Sequence, residues 1–145
     1  MFDVDECVAF ITNRVAKKLS EEFNERLMTL GITRVQWIAM YYLLKHGRLS
    51  QTDLADKMDI KDSTVVRLVD RMEKEHFLIR TKDTQDRRIT YLSLSEQGHT
   101  RIEELLPEGE AMSRIFSQGI SDEEFAVFKT VLDKMVKNID KTTRK

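Results

Sequence analysis

At 145 residues, with 41% hydrophobic and 34% charged side chains and a formal net charge of −1, the chain has the size of one domain or one closely joined unit. Its balance is that of a helix-rich protein with a heavily charged surface. No apolar run approaches the ~20 residues that a membrane span needs, and MFDVDECVAF is too acidic for a signal peptide, which together point to an intracellular, cytoplasmic location.

From Asp3 to Leu30, the apolar positions Val8, Ile11, Val15, Leu19, Phe23, Leu27 and Leu30 recur at helical spacing, with no Pro or Gly before Gly31. The spacing predicts one long amphipathic helix, closed by a glycine able to take the left-handed cap. Thr33 and Gln36 form a capping box that opens a second helix, Thr33 to His46, and Gly47 closes it. Ser50 and Asp53 repeat the device at the start of a shorter helix.

In QTDLADKMDIKDSTVVRLVDR, the residues Leu54, Met58, Ile60, Val65, Leu68 and Val69 recur with Ala55 between them, so two short helices can bury these positions against each other. Ala55 falls at the crossing, where a larger side chain would hold the helices apart. Asp59 falls in the turn and tolerates a left-handed backbone better than most residues. The second of the two helices, about Lys61 to His76, has an apolar stripe at Val65, Leu68, Val69 and Met72. Ser63, Thr64, Arg67, Asp70 and Arg71 are left on the outer side. Such a face suits the DNA major groove, where Arg forks onto guanine and a Thr methyl touches thymine; a merely solvated helix face has the same composition.

After Phe77 the period changes. Ile79 to Lys82 and Ile89 to Leu94 read as two strands, and the polar stretch Asp83 to Arg88 supplies a turn carrying cations. A helix-turn-helix with a basic hairpin behind its second helix is a winged helix, whose wing tip reaches the minor groove or the backbone.

Ser95 caps a further helix running towards Leu106, with Gly98 weakening its first turn by about 1 kcal/mol relative to Ala. Pro107 and Gly109 predict a break or kink, after which AMSRIFSQGI resumes briefly. Ser121 and Glu124 form a third capping box. Behind it, Phe125, Phe128, Leu132, Met135 and Ile139 alternate steps of three and four, a narrow seam fit for packing on another helix. The tail KTTRK is expected to fray. From Glu96 to Phe125 nearly all charges are acidic, whereas Lys61, Arg67, Arg71, Lys82, Arg87 and Arg88 gather on the proposed helix and wing. A near-neutral total can therefore hide a basic face and an acidic back.

In its motif order the chain resembles the MarR (multiple antibiotic resistance regulator) family of transcription factors. The likeness rests on STVVRLVDRMEKEHFLIR, on the wing string DTQDRRITYLSLSEQG, and on LSQTDLADKMDI leading into them; it covers most of the chain and is densest from Thr33 to Gly98. The resemblance implies a mainly α fold with a small β-hairpin wing, as one domain over residues 1–145. Residues 31–99 would form the winged helix-turn-helix lobe, and residues 1–30 and 100–145 the dimerisation helices. It further implies a homodimer that binds double-stranded DNA at an inverted-repeat operator, with recognition helices ~34 Å apart, as a repressor released by a small ligand. In proteins of this kind a wing aspartate braces an arginine, and the arginine at the wing tip enters the minor groove. Asp86 and Arg88 match those positions, Arg87 is adjacent, and Asp70 is placed to brace the same cluster. The expected DNA contacts are thus Lys61, Ser63, Thr64, Arg67 and Arg71 on the helix, with Lys82, Asp86, Arg87 and Arg88 on the wing.

Family members often lose DNA affinity when a small phenolic or apolar molecule wedges beside the DNA-binding lobe. Phe10, Trp37, Met40, Tyr41 and Tyr42 supply aromatic and thioether side chains for such a cleft, although a stripe of this kind also serves as core. Cys7, the single cysteine, excludes an internal disulfide and raises an alternative, the family's peroxide-sensing branch. The first helix carries no tyrosine to activate it, and Asp3, Asp5 and Glu6 disfavour a thiolate. His46, His76 and His99 are isolated, with no metal-ligand spacing, and neither a cofactor nor an enzyme activity finds a motif. A second alternative is a winged helix that docks proteins without touching DNA; the arginines on one side argue for DNA, because a docking surface should show apolar anchors there.

Overall fold

A computed structural model describes residues 1–143 of the chain. It begins with a 3-10 turn, Val4–Glu6, in which Asp3 Oδ1 accepts the Asp5 N–H at 2.9 Å. Cys7 is extended (ψ 120°), and helix α1 runs only from Val8 to Met28. The helix expected from Asp3 is therefore shorter, because a short acidic side chain that bonds its own backbone competes with the helical ladder. Beyond α1 the chain reverses through Gly31 (φ 86°), where the Ile32 N–H returns to the Leu27 carbonyl at 3.2 Å. Helix α2, Arg34–His46, opens with the capping box: Gln36 N–H donates to Thr33 Oγ1 (3.1 Å), and Thr33 N–H donates to Gln36 Oε1 (3.0 Å).

Helices α3, Gln51–Met58, and α4, Asp62–Lys74, form the helix-turn-helix. The turn passes through Asp59 in the left-handed conformation (φ 54°, ψ 48°), as its residue type allows. Leu54, Ala55, Val65, Val69 and Met72 are all buried between the helices and the rest of the core. Full burial of a Leu, Val or Met side chain contributes about 1.5–3 kcal/mol, so this cluster fixes how α4 is carried.

The sheet has three antiparallel strands, β1 (Leu49–Ser50), β2 (Leu78–Lys82) and β3 (Thr90–Leu94), in the order β1-β3-β2. Leu49 and Arg80 flank Leu92 from its two sides, and Lys82 opposes Thr90 next to the wing tip. The expected hairpin thus gains a strand, since two residues are too few to carry an alternation signal.

Helix α5 extends from Glu96 to Ser117 without the predicted break at Pro107 and Gly109. Pro107 withholds one N–H from the ladder, but the helix is held from outside at this level. Trp37 Nε1 donates to the Leu105 carbonyl at 2.8 Å, and Arg26 Nε meets Glu108 Oε2 at 2.5 Å. Gly109 is there for close approach: a Cβ on it would lie 2.7 Å from two ring carbons of Trp37. Gly98 has the same role more severely, since a Cβ there would stand 1.9 Å from the Phe77 carbonyl oxygen. Ser95 caps this end as expected, its Oγ accepting the Gly98 N–H at 2.9 Å.

The chain divides into two compact units, Met1–Gly109 and Glu110–Lys145, with the division inside α5. In the second unit α6, Asp122–Thr143, opens with the expected Ser121/Glu124 box, the two reciprocal bonds measuring 3.0 and 3.1 Å. On the predicted seam Phe128 and Ile139 remain 54% and 58% exposed, and Val127 and Val136 beside them are exposed as well. In the first unit Val8, Val15 and Leu19 on α1 are likewise exposed. Helix α6 continues through Thr143 where the tail was expected to fray; Arg144 and Lys145 lie outside the described residues. Among the described residues no helix is long and apolar enough to cross a membrane.

Candidate nucleic-acid interface

Helix α4 has two faces. Val65, Val69 and Met72 are buried, whereas Ser63, Thr64, Arg67, Asp70 and Arg71 are exposed, the division that the apolar stripe predicts. Lys61 is the N-cap residue of the helix and is exposed. Ser63 and Thr64 occupy the first turn, the part of a recognition helix that enters a groove first.

The wing tip is built around two aspartates. Asp83 Oδ1 accepts the N–H groups of Gln85 (2.8 Å) and Asp86 (2.9 Å), and those bonds hold its carboxyl below the usual carboxylate range. Asp86 then grips Arg88 with both oxygens: Oδ1 accepts Nε (3.0 Å) and Oδ2 accepts Nη2 (3.1 Å). The Arg88 guanidinium lowers the Asp86 pKa, and the carboxylate raises that of Arg88. The brace implied by the resemblance is thus present as a fork, with Arg88 still 89% exposed and able to receive an anion. Arg87 is exposed alongside, and Lys82 Nζ donates to its carbonyl at 3.3 Å, closing the neck of the turn.

Asp70 does not join the tip. Its Oδ1 accepts from Arg80 Nη2, and the same Nη2 reaches the Val66 carbonyl of α4 at 3.3 Å. Ten residues separate Asp70 from Arg80, and the strand direction of β2 brings its base, not its tip, alongside the helix. Arg80 was absent from the expected contact set, yet the sequence carried a signal: it shares the inward alternation of β2 with buried Leu78, where a cation requires a partner. Arg71, by contrast, leans towards the helix C-terminus, where its Nε donates to Glu75 Oε1 at 3.1 Å. Arg48, a further exposed cation, stacks over the Tyr91 ring of β3 at 3.9 Å.

The residues expected to line a ligand cleft do not all gather. Trp37 stacks on Tyr41 (5.8 Å between centroids), Tyr41 meets Tyr42 edge-on (5.5 Å), and Phe23 completes the ladder edge-on to Trp37 (5.2 Å). Met40 points into the core and is fully buried. Phe10 lies nearly four turns before Phe23 on α1, ~20 Å along the axis, so within one chain it stands apart, with Arg14 over its ring. Cys7 is half-buried at the start of α1. Among the described residues no group of three or more His, Cys, Asp or Glu side chains is placed to hold a metal ion.

Among known proteins, the model of the MarR family matches residues 32–90 of the chain. The HTH-type transcriptional repressor MdtR of Bacillus subtilis is 32% identical over 108 residues, covering 74% of this chain and 70% of that protein. Among solved structures, S. aureus MepR in complex with DNA superposes with a TM-score of 0.83 at 23% identity, covering 91% of this chain and 98% of that one. BpsR of Bordetella bronchiseptica, whose DNA binding is regulated by 6-hydroxynicotinic acid, superposes with a TM-score of 0.85 at 22% identity, covering 94% and 97%.

Proposed function

This chain belongs to the MarR family, and on that premise we propose that it is a homodimeric transcription repressor that binds an inverted-repeat operator and is released by a small apolar or aromatic effector. The observation that carries the reading is the pairing of an exposed Ser63, Thr64 and Arg67 face with a wing whose Arg88 is aimed by Asp86, the two elements being clamped by Arg80. Helix α4 enters the major groove and Arg88 the adjacent minor groove, while Lys61, Arg71, Lys82 and Arg87 contact phosphates. Repression is supported by the relative MdtR, which is named as a repressor. Such a role belongs to the cytoplasm, where the operator lies.

Dimerisation is supported by the apolar residues that a single chain leaves exposed on α1 and α6, Val15, Leu19, Phe128 and Ile139 among them. In this reading residues 1–30 and 100–145 carry the twofold contact. Effector release draws support from the half-buried ladder of Trp37, Tyr41 and Tyr42 and from the regulation of BpsR by an aromatic acid. Within one chain Phe10 lies too far along α1 to join this ladder.

The test is a binding titration on duplex DNA from the protein's own promoter region, with sedimentation to measure mass. With roughly 6–10 phosphate contacts per dimer, affinity should fall about 10³- to 10⁵-fold between 50 and 200 mM salt. A monomer in solution, or indifference to duplex DNA at low salt, refutes the proposal. A protein-docking winged helix would give that second result.

A further inference from the structure

Gln36 is 2% exposed, and it is the buried polar side chain of the described core. Its side chain does more than cap α2. While Oε1 accepts the Thr33 N–H, Nε2 donates to Glu75 Oε2 at 3.2 Å, across 39 residues of sequence. Glu75 is the C-cap residue of α4, and its other oxygen, Oε1, accepts Arg71 Nε at 3.1 Å. The chain of bonds Thr33, Gln36, Glu75, Arg71 therefore runs from the N-terminal cap of α2 to an exposed cation on the recognition face.

We propose that Gln36 is a positioning residue for DNA binding, a buried strut that fixes Glu75 and, through it, holds Arg71 in place for a phosphate. An i,i+4 pair on an open helix surface holds its arginine weakly, because two long side chains must be ordered for little gain. Here one partner is anchored from behind. Both Gln36 polar atoms are occupied, and the Glu75 carboxylate is fixed by one neutral and one charged donor, so Arg71 binds a carboxylate that cannot swing away. The link also ties α2, the helix that carries Trp37, to α4 by a polar contact at the edge of the apolar core. The inference rests on the DNA-binding reading above, which supplies the role of Arg71.

The test uses Gln36→Glu, which keeps the capping-box geometry but sets a carboxylate against Glu75. Two carboxylates at that separation cannot both stay ionised in contact, so at pH 8 they part. We expect operator binding to weaken about tenfold per subunit, the scale of one charge-assisted contact, so about a hundredfold for the dimer, and to recover as the pH falls towards 5.5 and the pair shares a proton. In an Arg71→Ala background the same substitution should cost nothing more. The swap, Gln36→Glu combined with Glu75→Gln, should restore binding, because the amide introduced at position 75 then donates to the carboxylate introduced at position 36 while its oxygen accepts from Arg71. An equal loss in both backgrounds, or a swap that folds and restores nothing, overturns the proposal. The Arg71 Nε–H resonance of the DNA-free protein reads the strut independently: it should shift in Gln36→Glu and return in the swap. An unchanged resonance overturns the strut even if the protein binds its operator, and a wild type that ignores duplex DNA refutes the DNA-binding reading without touching that resonance.

Discussion

Arg80→Ala removes the clamp between wing and recognition helix and leaves Asp70 without its partner. The magnitude follows from what Arg80 holds. One bond goes to a carboxylate, a class worth about 1.5–3 kcal/mol when sheltered, and one longer bond goes to the Val66 carbonyl. Two observations reduce the sum: Asp70 is half exposed, so solvent screens the pair, and Arg80 Nε is buried without a partner among the described residues, a cost that the substitution removes. A net loss of about 1–2 kcal/mol remains, or roughly 3–8 °C in melting temperature. DNA binding should respond more sharply. The freed Asp70 charge sits on the face that meets phosphates, and a repulsion of about 1 kcal/mol near contact distance in each subunit weakens binding of the dimer about thirtyfold. Arg80→Ala with Asp70→Ala should therefore bind more tightly than Arg80→Ala alone, although it has lost both side chains. Fluorescence anisotropy with labelled duplex, together with thermal melts of the four members of the cycle, measures both terms. Additive melting shifts, and a double variant no tighter than the single, would refute the clamp.

Other predictions concern the same lobe. Arg67→Ala should flatten the preference for operator over unrelated duplex, whereas Arg88→Ala should weaken both alike and reduce the slope of log affinity against log salt by about 1.8, one cation from each subunit of the dimer; a competition titration separates them. Gly98→Ala and Gly109→Ala should both destabilise despite the better helix propensity of Ala. Gly98→Ala should be the worse, because its Cβ meets backbone at 1.9 Å and cannot be relieved by a side-chain shift, while Gly109→Ala at 2.7 Å from the Trp37 ring should cost about 1–3 kcal/mol in a denaturant titration. Asp83 and Asp86 have depressed folded-state pKa values, so the order they give the wing is complete above their ordinary value of 3.8 and is lost as the pH falls through the lowered values. The amide protection factors of residues 83–89, corrected for the intrinsic exchange rate at each pH, should thus hold steady down to about pH 4 and fall below it, and Asp86→Asn should remove part of that transition.

Much of this architecture is legible in local chemistry. Thr33 with Gln36, Ser121 with Glu124, and the left-handed Gly31 and Gly47 mark boundaries because each satisfies helix ends within a few residues of chain. The burial of Val65, Val69 and Met72 follows from period alone. What sequence reasoning misses depends on partners distant in sequence. Pro107 and Gly109 have the composition of a break, and only the arrival of Trp37 from α2, against Gly109, shows that the glycine makes room. Asp70 suits the wing tip by charge, but strand direction gives it to Arg80. Phe10 and Trp37 share a composition, and the rise of α1 separates them.

The Trp37 indole is the chain's single tryptophan. Its N–H is held by Leu105, Tyr41 stacks on one side, and Phe23 meets it edge-on. Ultraviolet excitation at the red edge therefore interrogates one spot in the protein, where α1, α2 and α5 converge. The emission is an unlabelled optical gauge of whatever the aromatic ladder admits, readable during the same titration that follows release from DNA.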